Sequence, residues 1–167
     1  MTLIFCVGVG IFMLALSFAA VPLYRIFCQK TGYGGTPKIS YSSSGKLGKR
    51  RISVYFNGDT HRDLPWTFKP LQQRITVQTG ATGLAFYRVQ NHSQLPVKGM
   101  ATYNVTPDKA APYFNKIECF CFEVQTLPAK TYMELPVQFY IDPAFDTDPA
   151  MADVQEITLS YTFFKQK

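Results

Sequence analysis

The chain has 167 residues, with 17 Lys and Arg against 11 Asp and Glu, and a formal net charge of +6. Hydrophobic residues make up 47% and charged residues 17%, which excludes a chain held unfolded by low hydrophobicity and high charge. Four Cys are too few for a disulfide-built scaffold, and 11 Gly and 11 Pro are too dispersed for collagen or a low-complexity linker.

No Lys, Arg, Asp or Glu precedes Arg25. The uncharged run Thr2 to Tyr24 (TLIFCVGVGIFMLALSFAAVPLY) would reach about 34 Å as a helix, enough for a hydrocarbon core of about 30 Å. Tyr24, Arg25 and Lys30 then read as an interfacial belt. Two other readings compete. Ser17-Phe18-Ala19 resembles a signal-peptide cleavage site, but the basic n-region is missing and the apolar run is long for that role. A buried core helix would show amphipathic periodicity, and none is present. The run is therefore expected to be a single-pass transmembrane helix over 1–24. Basic residues follow it and none precedes it, so the positive-inside rule alone would retain the C-terminal part. A basic leader missing from the start of the chain would remove the basis for that inference.

Residues 25–50 are rich in Gly, Ser and Lys and read as a juxtamembrane segment and flexible tether. From there to residue 167 the period is two. Ile52, Val54 and Phe56 alternate with Ser53 and Tyr55, and Ile75 and Val77 with Thr76 and Gln78. Leu84–Val89 is a compact apolar run and Val97–Val105 a weaker one. Leu135, Val137, Phe139 and Ile141 alternate with Pro136, Gln138 and Tyr140, and Ile157, Leu159, Tyr161 and Phe163 with Thr158, Ser160 and Thr162. Alternation puts one face of each strand into a core. Turn residues separate the runs at Asn57-Gly58-Asp59, Gly80-Ala81-Thr82-Gly83, Asn91-His92-Ser93, Thr106-Pro107-Asp108, Asp142-Pro143 and Asp148-Pro149. The pattern predicts an all-β domain over 51–167, a β-sandwich. Scattered single cations predict a solvated surface that favours anionic headgroups near the tether, with no nucleic-acid motif.

The chemistry concentrates in Cys119-Phe120-Cys121-Phe122. On a strand, Cys119 and Cys121 would share one face, with Phe120 and Phe122 anchoring the other. Their Cα atoms would lie about 6.6–6.8 Å apart, at the limit for a disulfide, whereas a metal between the sulfurs spans a wider gap. Thiolates are soft ligands that select Cu(I), Zn or iron–sulfur clusters. Zinc normally takes four protein ligands, and the other donors, Cys28, His61 and His92, include no second close pair. Cu(I) asks for fewer ligands, and two chains could also pool their pairs. The bland alternative is an incidental pair of small buried hydrophobes. Cys6 lies in the apolar run and reads as packing, whereas Cys28, just past Arg25, is a candidate for thiol exchange or ligand transfer at the membrane surface. His61 and His92 read as surface residues, Trp66 with Phe68 and the methionines Met100, Met133 and Met151 as core, and the sequons at Asn91 and Asn104 as chance matches.

The run Val21-Pro22-Leu23-Tyr24-Arg25-Ile26-Phe27-Cys28, followed by Thr31-Gly32-Tyr33-Gly34-Gly35-Thr36, resembles the juxtamembrane signature of the CtaG-type cytochrome c oxidase assembly proteins. Tyr113-Phe114-Asn115-Lys116-Ile117-Glu118-Cys119-Phe120-Cys121-Phe122-Glu123 is similar to their copper-binding signature. Leu84–Arg88, Phe139–Pro143 and Leu159–Phe164 are also similar to family segments, so the resemblance covers essentially the whole chain. It implies an immunoglobulin-like β-sandwich preceded by one N-terminal transmembrane helix, in an inner membrane. The soluble domain would face the mitochondrial intermembrane space, or the periplasm if bacterial. It also implies a Cu(I) chaperone rather than an enzyme, holding copper through Cys119 and Cys121, with Cys28 required for delivery. The implied recipient is the CuB site of cytochrome c oxidase subunit I. An upstream copper-donor chaperone would load the protein, and the copper-loaded form would be a homodimer. The competing expectation is a membrane-tethered thiol–disulfide oxidoreductase acting on the cysteines of oxidase assembly partners. It is disfavoured by the strain of a disulfide within an extended CxC.

Overall fold

The period-two runs fold as strands whose apolar residues meet between two sheets. The structure is a computed structural model that describes residues 2–31, 38–39, 46–118 and 124–166. One helix, α1 (Thr2–Thr31), is followed by β1 (Lys38–Ile39), β2 (Arg51–Thr60), β3 (Trp66–Pro70), β4 (Arg74–Gln78), β5 (Thr82–Asn91), β6 (Val97–Thr106), β7 (Phe114–Glu118), β8 (Gln125–Leu127), β9 (Tyr132–Ile141) and β10 (Glu156–Lys165). One sheet has the order β1-β7-β9-β5-β3 and the other β4-β2-β10-β6-β8. Neighbours are antiparallel except for β1 with β7 and β10 with β2. This is the expected all-β sandwich behind one apolar helix.

The core is the set of alternating residues read from the sequence. Ile52, Val54 and Phe56 are buried on β2, Val137, Phe139 and Ile141 on β9, and Ile157, Leu159, Tyr161 and Phe163 on β10. Its centre is aromatic: Phe68 stacks on Tyr87 at 4.9 Å, and Tyr87 and Phe163 approach edge-on to Tyr161 and Phe68 at 5.2 and 4.9 Å. Such pairs add directionality to hydrophobic burial. Three turn signals became something else. Asn57-Gly58-Asp59 lies inside β2, because the missing Cβ of Gly58 admits the ring of Phe68, which a Cβ would meet at 2.8 Å. Asp142 and Asp148 instead cap short 3-10 helices, Pro143–Asp146 and Pro149–Met151, accepting from the amides of Ala144 and Ala150.

Helix α1 runs to Thr31, beyond the Tyr24 boundary expected from charge alone. At 30 residues it is about 45 Å long, more than a hydrocarbon core needs. The window Val7–Tyr24 has a mean hydropathy of 2.0, and none of it is buried against the protein. A core helix would be covered, so this one is long and apolar enough to cross a membrane and finds no protein surface to bury it.

Within the span read as a tether, Lys38–Ile39 pairs with Asn115–Lys116 of β7, and Lys46–Arg50 is bonded to the sandwich. The amides of Lys49 and Arg50 donate to Asp146 Oδ2, as does the Thr79 hydroxyl. Arg50 donates to the carbonyls of Met151 and Val154, with its guanidinium over the Phe145 ring at 5.0 Å. Gly80, at φ 81°, makes this docking possible, since a Cβ there would lie 1.8 Å from the Lys46 carbonyl oxygen. Gly80→Val combines a left-handed backbone with that collision and is expected to cost roughly 2–4 kcal/mol in denaturant unfolding of the full chain.

Candidate metal centre

The cysteine pair Cys119 and Cys121 lies outside the described residues, and the structure fixes what surrounds it in the chain. Upstream is β7, which belongs to one sheet; downstream is β8, the edge strand of the other. The run that holds the cysteines therefore joins the two sheets. Strand β7 enters it well secured. The Tyr113 hydroxyl donates to Asp148 Oδ2, raising the tyrosine pKa and lowering that of the carboxyl, and Phe114 stacks on Phe139 at 5.0 Å. Lys116 pairs with Phe139 of β9, but Glu118 pairs with Gln138, so the register shifts between them. An extra residue in a strand reverses which face later side chains take. Faces counted from Phe114 do not carry past that point.

Cys28 belongs to the last turn of α1, beyond the apolar window that ends at Tyr24. Residues of α1 come within 8 Å of β1, Cα to Cα, and β1 is the parallel neighbour of β7. Helix α1 and the strand leading to Cys119 thus both neighbour β1. His61 and His92 sit on the surface as expected: His61 Nδ1 is 3.3 Å from Asp63 Oδ2, and His92 Nε2 is 2.6 Å from the Thr67 hydroxyl. Among the described residues, no three or more His, Cys, Asp or Glu cluster as metal ligands. Asn91 of the first sequon is fully buried, its amide donating to the carbonyls of Leu95, Leu127 and Pro128, so it offers no nitrogen for modification.

One residue of this region was missed in the sequence. Lys116 is 2% exposed. Its Nζ stands 3.0 Å from the ring centroid of Tyr103 on β6 and donates to the Tyr161 hydroxyl of β10 at 3.4 Å. The side chain spans the sandwich from one sheet to the other. Burial pushes its amine from the ordinary 10.5 down to about 6, and burial pushes Tyr103 up to about 12. The available signal was parity: Lys116 shares the core-facing phase of Phe114.

The molecule is thus defined as a β-sandwich carried on an N-terminal helix able to cross a membrane, with a CxC run linking its two sheets. Residues 20–165 match the family described as cytochrome c oxidase assembly protein CtaG/Cox11. The chain is 51% identical over 162 residues to the Arabidopsis thaliana protein named cytochrome c oxidase assembly protein COX11, mitochondrial; the match covers 92% of this chain and 56% of that protein. It is 52% identical over 155 residues to cytochrome c oxidase assembly protein CtaG of Ehrlichia ruminantium, covering 93% and 88% of the two chains. Identity to the ctaG protein of Reclinomonas americana is 49% over 164 residues, covering 94% and 90%. The chain belongs to the CtaG/Cox11 family of cytochrome c oxidase assembly proteins.

Proposed function

We propose that this protein is a Cu(I) chaperone that supplies the CuB site of cytochrome c oxidase subunit I during oxidase assembly, holding the metal between Cys119 and Cys121. The observation that carries the reading is the family match over residues 20–165, which includes the CxC run. Chemistry supports it, because two thiolates suit a soft monovalent ion and leave positions open for an acceptor's ligands. Copper is cargo here, so the protein needs no catalytic turnover. Helix α1 would hold the domain at the inner membrane, where the recipient lies, converting a search in solution into a local encounter. The domain would face the intermembrane space in a mitochondrion or the periplasm in a bacterium. Cys28, in the last turn of α1 beyond the apolar window, would relay the ion by thiolate exchange, and an upstream chaperone would load it. Two copies pooling their CxC pairs would form the copper-loaded homodimer.

Anaerobic Cu(I) titration of the full chain in detergent tests this. Wild type is expected to take up about one Cu(I) per chain, and Cys119→Ser/Cys121→Ser to lose uptake by at least tenfold in affinity. Equal uptake by both removes these cysteines as the site. A wild type that binds no Cu(I) but exchanges disulfides with a peptide substrate supports the oxidoreductase reading instead.

A further inference from the structure

The turn 61–64, the loops 92–96 and 128–131 and the last residues of β10 meet at one end of the sandwich. There the amide of His61 donates to the carbonyl of Phe163, that of His92 to Pro65, and that of Gln166 to Lys98. We propose that this end is the docking surface for an acidic protein, with Leu95 as its apolar contact and Arg62, Lys98 and Lys165 as its cations. Such docking does not depend on where copper binds.

Charge separates the two ends of the sandwich. Residues 61–65, 92–98, 127–131 and 163–166 hold four cations, Arg62, Lys98, Lys130 and Lys165, and one carboxylate, Asp63. All four cations are exposed, and among the described residues none forms an ion pair. Asp63 Oδ2 lies 3.3 Å from His61 Nδ1 instead. The opposite end, residues 46–51, 106–113 and 141–156, sets six carboxylates against five cations. The field at the loop end is therefore positive, which attracts and orients an anionic partner.

The tip is held in shape from below. Asn91, fully buried, donates to the carbonyls of Leu95, Leu127 and Pro128 and accepts from the Ser93 amide. The Ser93 hydroxyl also donates to the Leu95 carbonyl. Lys130 takes a left-handed backbone, φ 57°, and its amine donates to the His92 carbonyl at 2.7 Å. Two loops are thereby locked together. Yet Leu95 at the tip is 71% exposed, and Tyr132, where β9 begins beside it, is 65% exposed. Apolar groups fixed in place before contact lose little conformational entropy on binding. An apolar centre with a cationic rim fits a partner that offers an apolar pocket rimmed by carboxylates.

Position favours a protein over the bilayer as the occupant. Helix α1 leads into β1, where Lys38 pairs with Asn115, and Asn115 pairs with Tyr140 of β9. Strand β9 runs from Tyr132 at the loop end to Ile141 at the other, about 30 Å over its ten residues. The chain from the apolar helix thus joins the sandwich near the end opposite Leu95. The loop end lies farthest from that attachment, where a partner from the aqueous compartment has access.

Photo-crosslinking and oxidase activity test this together. The full chain, with the photoreactive p-benzoylphenylalanine in place of Leu95, is produced in cells whose own family member is deleted, and the cells are irradiated. A discrete protein adduct of acidic sequence is expected by mass spectrometry, its yield falling about fivefold or more when Lys98→Glu/Lys165→Glu is added. Oxidase activity of the membranes is expected to fall about threefold or more for Leu95→Asp and for Lys98→Glu/Lys165→Glu, with the denaturant midpoint unchanged. Leu84→Asp, at a leucine 49% exposed on β5, should leave activity at the wild-type level. The double lysine variant alters exposed side chains alone and carries the test if Leu95→Asp does not fold. Adducts with phospholipid alone assign the surface to the bilayer and overturn the proposal. So do the absence of any adduct, a yield indifferent to the charge reversal, and wild-type oxidase activity in the double lysine variant.

Discussion

Lys116→Met is expected to make the protein more stable at pH 7, by roughly 2–4 kcal/mol, and to flatten its stability against pH. The lysine is buried and its amine is pushed down to about 6, against 10.5 when exposed. The sign follows from proton binding. Below about pH 6 the amine is charged in both folded and unfolded chains, and the full burial cost is present. Between about 6 and 10.5 the unfolded chain holds a proton that the folded chain lacks, so stability rises by about 1.4 kcal/mol per pH unit. At pH 7 the remaining cost is on the order of 5 kcal/mol, from which the variant loses about 1 kcal/mol with the hydrogen bond to the Tyr161 hydroxyl. Above pH 10 the slope reverses. Tyr87, Tyr103 and Tyr161, all raised by burial, resist an ionisation that the unfolded chain undergoes. Methionine keeps the volume and needs no proton. Denaturant unfolding of the full chain in detergent from pH 6 to 10 should show the slope in wild type and its loss in the variant. Parallel curves would mean that Lys116 is solvated.

Tyr161→Ala is expected to cost about 3–5 kcal/mol, the range for deleting a fully buried aromatic ring. The ring is shared by both sheets. It meets Tyr87 at 5.2 Å and Phe68 at 6.4 Å from the opposite sheet, and Tyr103 at 5.5 Å from the neighbouring strand. Tyr161→Phe keeps those contacts and removes only the oxygen that accepts from Lys116, so it should cost about 1 kcal/mol. The midpoint of denaturant unfolding should fall far more for the alanine variant, with the slope unchanged. Similar midpoints for the two would place the energy in the hydrogen bond rather than the ring.

Much of this architecture was legible because strand alternation and helix hydropathy are local properties. Ile157, Leu159, Tyr161 and Phe163 announce a buried face by spacing alone, and all four are fully buried. The charge-free run marked α1 because no polar group interrupts it. Val97–Val105 read weakly because Gly99 breaks its apolar rhythm. The reason lies in another strand: Gly99 faces Trp66, whose ring a Cβ would meet at 2.6 Å. The two cysteines stand out in the sequence only as a spacing, CxC.

By itself, the sequence determined the class of fold, the apolar helix and the two sulfurs placed one residue apart, since each follows from the order and type of neighbouring residues. Only the tertiary structure decided that Lys38–Ile39 completes a sheet beside β7, that a register shift precedes Cys119, and that Lys116 reaches across the core to Tyr103 and Tyr161. Those facts depend on which strands become neighbours. An edge pairing, a bulge or a buried amine acquires its energy from residues distant in the chain, and no local pattern encodes that distance.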